Sequence, residues 1–435
     1  MNYKIHRGTQ EIGGSCVEVW TASSRIIVDF GLPLVNAKGE SFAINAYKNA
    51  SVEELIEKGI LPNIQSVYQA GTHTALILSH SHQDHCGLLH YLHSDCRVYL
   101  GEATHRLIEL TNIFSGKTWK IKYPHYFESG KSFRIGDITI TPYLMDHSAF
   151  DAYAFLIQAE GKSLFYSGDF RIHGRKQNAF KWFSHHVPQD IDYLLLEGTG
   201  IGRSDKPFLS ETDIEDAFAE SFTQSKAIHL IYTSGQNIDR LVSIYRACKK
   251  SGKTFVIDFY IANIFKELAE LKYKLPYPSP SYPEINVFYP YRLSNSMVKQ
   301  GKKELLYNFT EHKITKEEIS AQFDKVVMLV RPSMLKDITH LENLEGGIFI
   351  YSMWQGYKKE ESYKTLINYL LQRGMTEKDI HTSGHADREG LKAMVEVLKP
   401  KTIVPIHTFE GDAYESIFEN TKVLRLQDNE TISIE

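Results

Sequence analysis

The stretch Leu76-Ile77-Leu78-Ser79-His80-Ser81-His82-Gln83-Asp84-His85-Cys86-Gly87 sets three histidines and one aspartate into six consecutive positions directly after an apolar run. Side chains two apart on an extended chain point the same way, so His80 and His82 can face one ion. Asp84 and His85 follow at a turn into a helix and can face a second. Neutral imidazole and carboxylate suit Zn²⁺, and Mn²⁺ is compatible with oxygen-rich sites. A solvated, His-rich turn has no need of H-x-H-x-D-H spacing after an apolar strand. Cys86 reads as a small buried hydrophobe rather than a further ligand.

Four residues cannot complete two coordination shells, so more ligands are expected downstream. His147 follows Tyr143-Leu144-Met145-Asp146, Asp169 follows Phe165-Tyr166-Ser167-Gly168, and His407 follows Ile403-Val404-Pro405-Ile406. Gly168 allows close backbone approach. A single His at a strand end is ordinarily a packed or surface residue. Joined to the 80–85 cluster, the three supply the missing count. Two more chemically capable residues sit in similar places: Glu197 after Tyr193-Leu194-Leu195-Leu196, and His385 in Thr382-Ser383-Gly384-His385-Ala386.

The elements that must position these residues change in texture along the chain. Up to about residue 200, short β-branched or aromatic runs at 15–20, 24–29, 75–78, 97–100, 138–142, 153–158 and 163–166 read as strands, with helical patterns at 52–58, 88–92 and 102–111. Thereafter helical segments at 211–221, 238–251, 262–271 and 316–325 alternate with apolar strands at 227–231, 254–257, 325–330 and 347–351. That alternation predicts a parallel α/β layer. Short strands return at 402–406 and 423–426. The Pro-rich 275–283 is a loop.

The chain has 435 residues, 42% hydrophobic and 23% charged, enough for two or three domains and ordinary for a globular protein. Four scattered cysteines form no disulfide framework, and no apolar run is long enough to span a membrane. The first residues lack a signal-peptide core, so a cytoplasmic location is expected. Net charge is −4, yet residues 240–303 carry 12 Lys and Arg against 4 Asp and Glu. Aromatic residues interleave with those cations, a mixture that suits single-stranded nucleic acid, although most of the rings read as core. Asn237 and Arg240, at a helix start, are the better phosphate candidates, because free N–H groups there attract anions.

In order, Asp29, His80/His82/Asp84/His85, His147, Asp169 and His407 resemble the metallo-β-lactamase superfamily. Between Asp169 and His407 lie 237 residues, and Glu197, Ser383-Gly384-His385-Ala386 and His407 are similar to motifs A, B and C of its β-CASP nuclease family. The resemblance implies an αββα sandwich over 1–204 and 381–435, with an inserted parallel α/β β-CASP domain over 205–380. It implies two Zn²⁺ ions, or Mn²⁺: His80, His82 and His147 on one, Asp84, His85 and His407 on the other, and Asp169 bridging. Asp29 would orient ligands by hydrogen bonds. Thr408 stands where the family commonly has Gly or Cys, and neither a further C-terminal domain nor an N-terminal RNA-binding module is expected.

The implied function is hydrolysis of an RNA phosphodiester by a hydroxide shared between the metals. Asp84 could take the proton of the attacking water. His385 could protonate the leaving oxygen, oriented by Glu197, or could instead bind phosphate. Ser383, Gly384 and Ala386, with Asn237 and Arg240, are expected to contact the substrate. Single-stranded RNA is the expected partner, with DNA as an alternative; a homodimer is among the expected assemblies. The rival readings are a hydrolase of a small ester or thioester, which would not need so large an insert, and a non-catalytic nucleic-acid-binding relative, which would not need every ligand.

Overall fold

The computed structural model describes residues 1–35, 42–47, 49–203, 206–271 and 273–435. The chain divides into two compact units. One comprises Met1–His105, Trp119–Phe208 and Gly384–Glu435; the other comprises Arg106–Thr118 and Leu209–Ser383. The junction expected at 204/205 lies outside the described residues. The expected mixed α/β class holds.

Among the described residues, the first unit carries two seven-stranded sheets. One sets β1 (Asn2–Arg7), β2 (Cys16–Trp20), β3 (Arg25–Val28), β4 (Ala75–Ile77), β5 (Arg97–Leu100) and β6 (Pro124–Tyr126) side by side, with β20 (Thr431–Ser433) beyond β1. The other sets β7 (Phe133–Ile135), β8 (Ile138–Met145), β9 (Ala152–Ala159), β10 (Lys162–Tyr166) and β11 (Tyr193–Glu197) beside β18 (Thr402–Ile406) and β19 (Lys422–Val423). Strands β3 to β6 run parallel, as do β10, β11, β18 and β19.

Period-two alternation holds these layers together. In β10, Leu164 and Tyr166 enter the core shared with Tyr3, Val17, Ile26 and Ile77 of the other sheet, while Phe165 points to the opposite face. In β11 Leu195 goes inward, and Leu194 and Leu196 go outward. The outward set packs against Phe183 of the helix Gln177–His186 and Leu391, Met394 and Leu398 of the helix Arg388–Leu398. Asp387 starts the latter by accepting from Gly390 N at 2.9 Å, and its buried residues recur at i, i+3, i+4 and i+7. Each large apolar side chain fully buried this way contributes about 1.5–3 kcal/mol. A one-residue slip of β10 against β9 would exchange its two faces, so the pattern fixes the register.

The second unit is built on β12 (His229–Tyr232), β13 (Thr254–Asp258), β14 (Ile285–Phe288), β15 (Val326–Leu329), β16 (Ile348–Tyr351) and β17 (Thr376–Asp379). Their order is β14-β13-β15-β12-β16-β17, and every pairing is parallel. The central strands are buried on both faces, as parallel sheets flanked by helices must be. The helix Glu211–Gln224 starts on a capping box between Ser210 and Asp213. The helix Ile238–Ser251 ends on Gly252 at φ 66°, a left-handed conformation that Gly adopts without steric cost. Sequence patterning overlooks β17, whose Thr-Glu-Lys-Asp is wholly exposed. It is a charged edge strand, with Lys358 Nζ 2.7 Å from Glu377 and 2.7 Å from Asp379, and such charge deters further pairing. Among the described residues, no helix is long and apolar enough to cross a membrane.

Candidate metal centre

The polar cluster sits in the first unit, at the ends of strands from both sheets. His80 and His82 follow β4, Asp84 and His85 lie on the short helix Gln83–Cys86, His147 follows β8, Asp169 follows β10, Glu197 ends β11 and His407 follows β18. Two non-glycine residues here have positive φ, Asp29 at 62° and His407 at 55°. Such a conformation costs about 1–3 kcal/mol and persists only where its surroundings over-determine it. His407 N is fixed to Gly8 O at 2.7 Å.

Ligand atoms of His80, His82, His147 and Asp169 lie within 4.8 Å of one another, as do those of Asp84, His85, Asp169 and His407. Asp169 belongs to both groups. A third group of the same compactness joins Asp169 and His407 to Glu197 and His385. His80 Nε2, His85 Nε2 and both oxygens of Asp169 are buried and make no hydrogen bond in the protein. His85 Nε2 comes within 3.2 Å of Asp169 Oδ2 without a hydrogen bond between them. Orphaned buried lone pairs are costly and rare. Four such atoms gathered at Asp169, shared between the two quartets, fit bound cations, and the donor types fit zinc.

The electrostatics differ between the two quartets. Burial holds the imidazoles of His80, His82 and His147 below the usual histidine range, so they present neutral lone pairs. Burial also opposes charge on His85, but the Asp169 and Asp29 carboxylates outweigh it and raise the ring well above that range. His407 is raised similarly, with burial opposed by Asp169 and by a hydrogen bond to Asp84. Asp169 is pushed down against the burial penalty by His407, His85 and His385.

Around the ligands stands a layer of hydrogen-bond partners. The Asp29 carboxylate accepts from Ser79 N, Ser79 Oγ, Tyr166 OH and His85 Nδ1, each at 2.7 Å. His147 Nδ1 donates to Gly384 O at 2.6 Å, and Thr199 Oγ1 lies 2.8 Å from His407 Nδ1. These contacts fix which ring nitrogen is left to a metal. Of these partners the sequence reading named Asp29 and Gly384. Ser79 and Thr199 are neighbours of motif residues and could have been suspected; nothing in the sequence marks Tyr166.

His385 Nδ1 lies 3.2 Å from Glu197 Oε2. Glu197 is buried and accepts from Phe170 N at 3.0 Å and Thr199 N at 3.2 Å. The His385 side chain keeps 17% of its surface exposed. A Cβ on Gly384 would lie 2.3 Å from Ser148 Oγ, which accounts for the glycine.

Two expectations about substrate contact are corrected. Ala386 is fully buried in the apolar cluster beside Leu391, so it packs the fold. Arg240 is fully buried as well: its Nε and Nη2 lie 3.2 and 3.0 Å from the Glu211 carboxylate, and Nη2 donates to Thr382 O at 3.3 Å. Asn237 is half-buried, and its side-chain oxygen caps the helix by accepting from Arg240 N at 3.1 Å. In the basic stretch, Phe255, Phe259 and Phe265 are core residues, while Tyr273 and Tyr291 are exposed. Ser383 is the last residue of the second unit.

Two packed sheets with a His/Asp cluster at their strand ends are the arrangement expected of the metallo-β-lactamase superfamily, and similarity to known proteins agrees. Residues 49–219 match the Beta-lactamase superfamily domain, and residues 375–415 match the Zn-dependent metallo-hydrolase RNA specificity domain. The chain is 25% identical over 415 residues to ribonuclease J of Helicobacter pylori, covering 92% of this chain and 55% of that protein. It is 24% identical over 429 residues to ribonuclease J of Methanocaldococcus jannaschii, covering 92% of this chain and 89% of that one. It thus spans little more than half the length of the Helicobacter relatives. A crystal structure of a protein of unknown function from Enterococcus faecalis V583 has the same fold, with a TM-score of 0.78, 20% identity and 99% of both chains covered. The resemblance to the metallo-β-lactamase superfamily and its β-CASP branch is borne out.

Proposed function

We propose that the chain is a dinuclear zinc phosphodiesterase that cleaves RNA, with the first unit as the metallo-β-lactamase domain and the second as the β-CASP insert. The observation that carries this reading is Asp169, whose two buried, unbonded oxygens belong to both ligand quartets. His80, His82 and His147 would hold one ion, Asp84, His85 and His407 the other, and Asp169 both. Bound there, the ions would activate water and neutralise phosphate charge. Asp84 would accept the proton of the attacking water. Glu197, accepting from His385 Nδ1, would stabilise the imidazolium so that its other nitrogen can protonate the leaving oxygen. RNA as the substrate class draws support from the RNA specificity domain matched over 375–415, which contains both His385 and His407.

Purified protein supplied with zinc or manganese should cut labelled RNA oligomers, carrying a 5′-monophosphate or a 5′-hydroxyl, faster than the corresponding DNA. Equal rates on DNA would replace RNA by nucleic acid in general. Cleavage of neither, in protein carrying its metals, would refute the reading.

A further inference from the structure

At the carboxyl ends of β12, β13, β15 and β16 the second unit holds a crevice of about 620 Å³, which the metal centre does not use. From β12 the chain moves to β13 on one side, and from β15 it crosses to β16 on the other. Open parallel sheets characteristically bind ligands where the strand order reverses in this way. The volume lies within the 300–1,000 Å³ usual for small-molecule sites, roughly one or two nucleotides.

The lining has two characters. Ile261, Leu335 and Met353 contribute apolar wall, beside the ring of Tyr232. The lining also includes Arg331, on the loop after β15, and Arg292, on the helix Tyr291–Lys299. Arg331 pairs with the buried Asp258 and lies 5.5 Å from the Tyr260 ring, so its position is fixed. Arg292 is exposed and has no carboxylate partner among the described residues. The lining therefore carries one cation beyond its single carboxylate. The hydroxyl of Ser234, where β12 turns towards the helix Ile238–Ser251, adds a donor, whereas that of Thr233 donates to Ser352 O at 3.2 Å. A fixed cation, an unpaired cation, a hydroxyl and an apolar wall suit a ligand with a flat apolar body and a phosphate.

We propose that this crevice binds a phosphate-bearing nucleotide, with Arg292 and Arg331 on the phosphate and the base against the apolar wall. The ligand could come from two sources, a free nucleotide or one residue of an RNA strand. The inference stands apart from the reaction proposed above, because the residues are not metal ligands and binding can be read without turnover.

The test is calorimetric titration of the full metal-loaded chain with AMP, and separately with a 2′-O-methyl RNA tetramer verified as intact after the titration. Arg292→Gln should weaken binding about 10- to 100-fold, the worth of a charged hydrogen bond, while metal content and thermal midpoint stay at parental values. Arg292→Lys should recover part of the loss. Arg331→Gln should act in the same direction; if it unfolds the second unit by stranding Asp258, the exposed Arg292 still carries the test. AMP binding that depends on Arg292 identifies a free-nucleotide site, and dependence confined to the tetramer identifies a subsite for the RNA strand. If neither probe binds below millimolar concentration, or both bind equally to Arg292→Gln and parent, the proposal is wrong. RNA cleavage by the parent can succeed or fail independently of these results.

Discussion

His385→Ala tests whether catalysis separates from metal binding, because His385 belongs to neither quartet assigned to an ion but shares a third group with Asp169, Glu197 and His407. Its Nδ1, 3.2 Å from a buried Glu197 carboxylate, is placed to stabilise the protonated ring. Loss of a positioned general acid costs about 10²–10⁴-fold in rate, roughly 3–5 kcal/mol of barrier. RNA cleavage by the variant should fall by that factor while both metals remain bound. A nitrophenyl phosphodiester, whose phenolate leaves without a proton, should be hydrolysed at nearly the parental rate. Glu197→Gln should lose less activity, because Glu197 orients and does not transfer the proton. One amide oxygen cannot fully replace two carboxylate oxygens that accept from Phe170 N and Thr199 N, so a further cost of about 1–3 kcal/mol in stability is expected. Single-turnover cleavage, metal analysis and denaturant melts read these quantities separately. Parental RNA cleavage by His385→Ala, or loss of its metal, refutes the acid role. A parallel fall in RNA affinity and nitrophenyl turnover would make His385 a phosphate-binding residue.

Asp29→Ala should weaken metal affinity about 10- to 100-fold in competition with a chromogenic chelator, since Asp29 orients His85 without belonging to either quartet; unchanged affinity would refute that role. Arg240→Gln strands the buried Glu211 carboxylate and should destabilise the second unit by about 3–5 kcal/mol in urea, whereas a folded variant that had merely lost RNA affinity would restore the phosphate-binding reading. His229 is held down to about 4 by burial and by Lys253. Because its folded value lies below the unfolded value of about 6.5, the stabilisation is present above pH 6.5 and lost as pH falls toward 4, about 3 kcal/mol in all. His229→Asn should flatten that part of the stability profile, and an unchanged acid limb would contradict the assignment.

The residues of the His/Asp cluster were legible because they follow apolar runs and the H-x-H-x-D-H spacing is locally complete. Their supports were less so: Tyr166 reaches Asp29 across 137 positions, and Thr199 reaches His407 across 208. Arg240 misled because its local setting, a helix start after a strand, is that of an anion site. Its partner Glu211 stands 29 residues earlier, and only tertiary packing brings them together. The alternating strands and helices of the second unit were readable from apolar runs, but β17 has none. Nothing in residues 106–118 signals that they cluster with the second unit rather than with the sheet they follow.

The central claim is that one bridging carboxylate organises two ions on which RNA cleavage depends. Zinc titration of chelator-stripped protein, read simultaneously as bound metal and as RNA cleavage, tests it directly. Activity should rise with metal and level off at two equivalents per chain, and Asp169→Ala should neither retain the ions nor recover activity. Cleavage by the stripped protein, or saturation of activity at one equivalent, would contradict the claim.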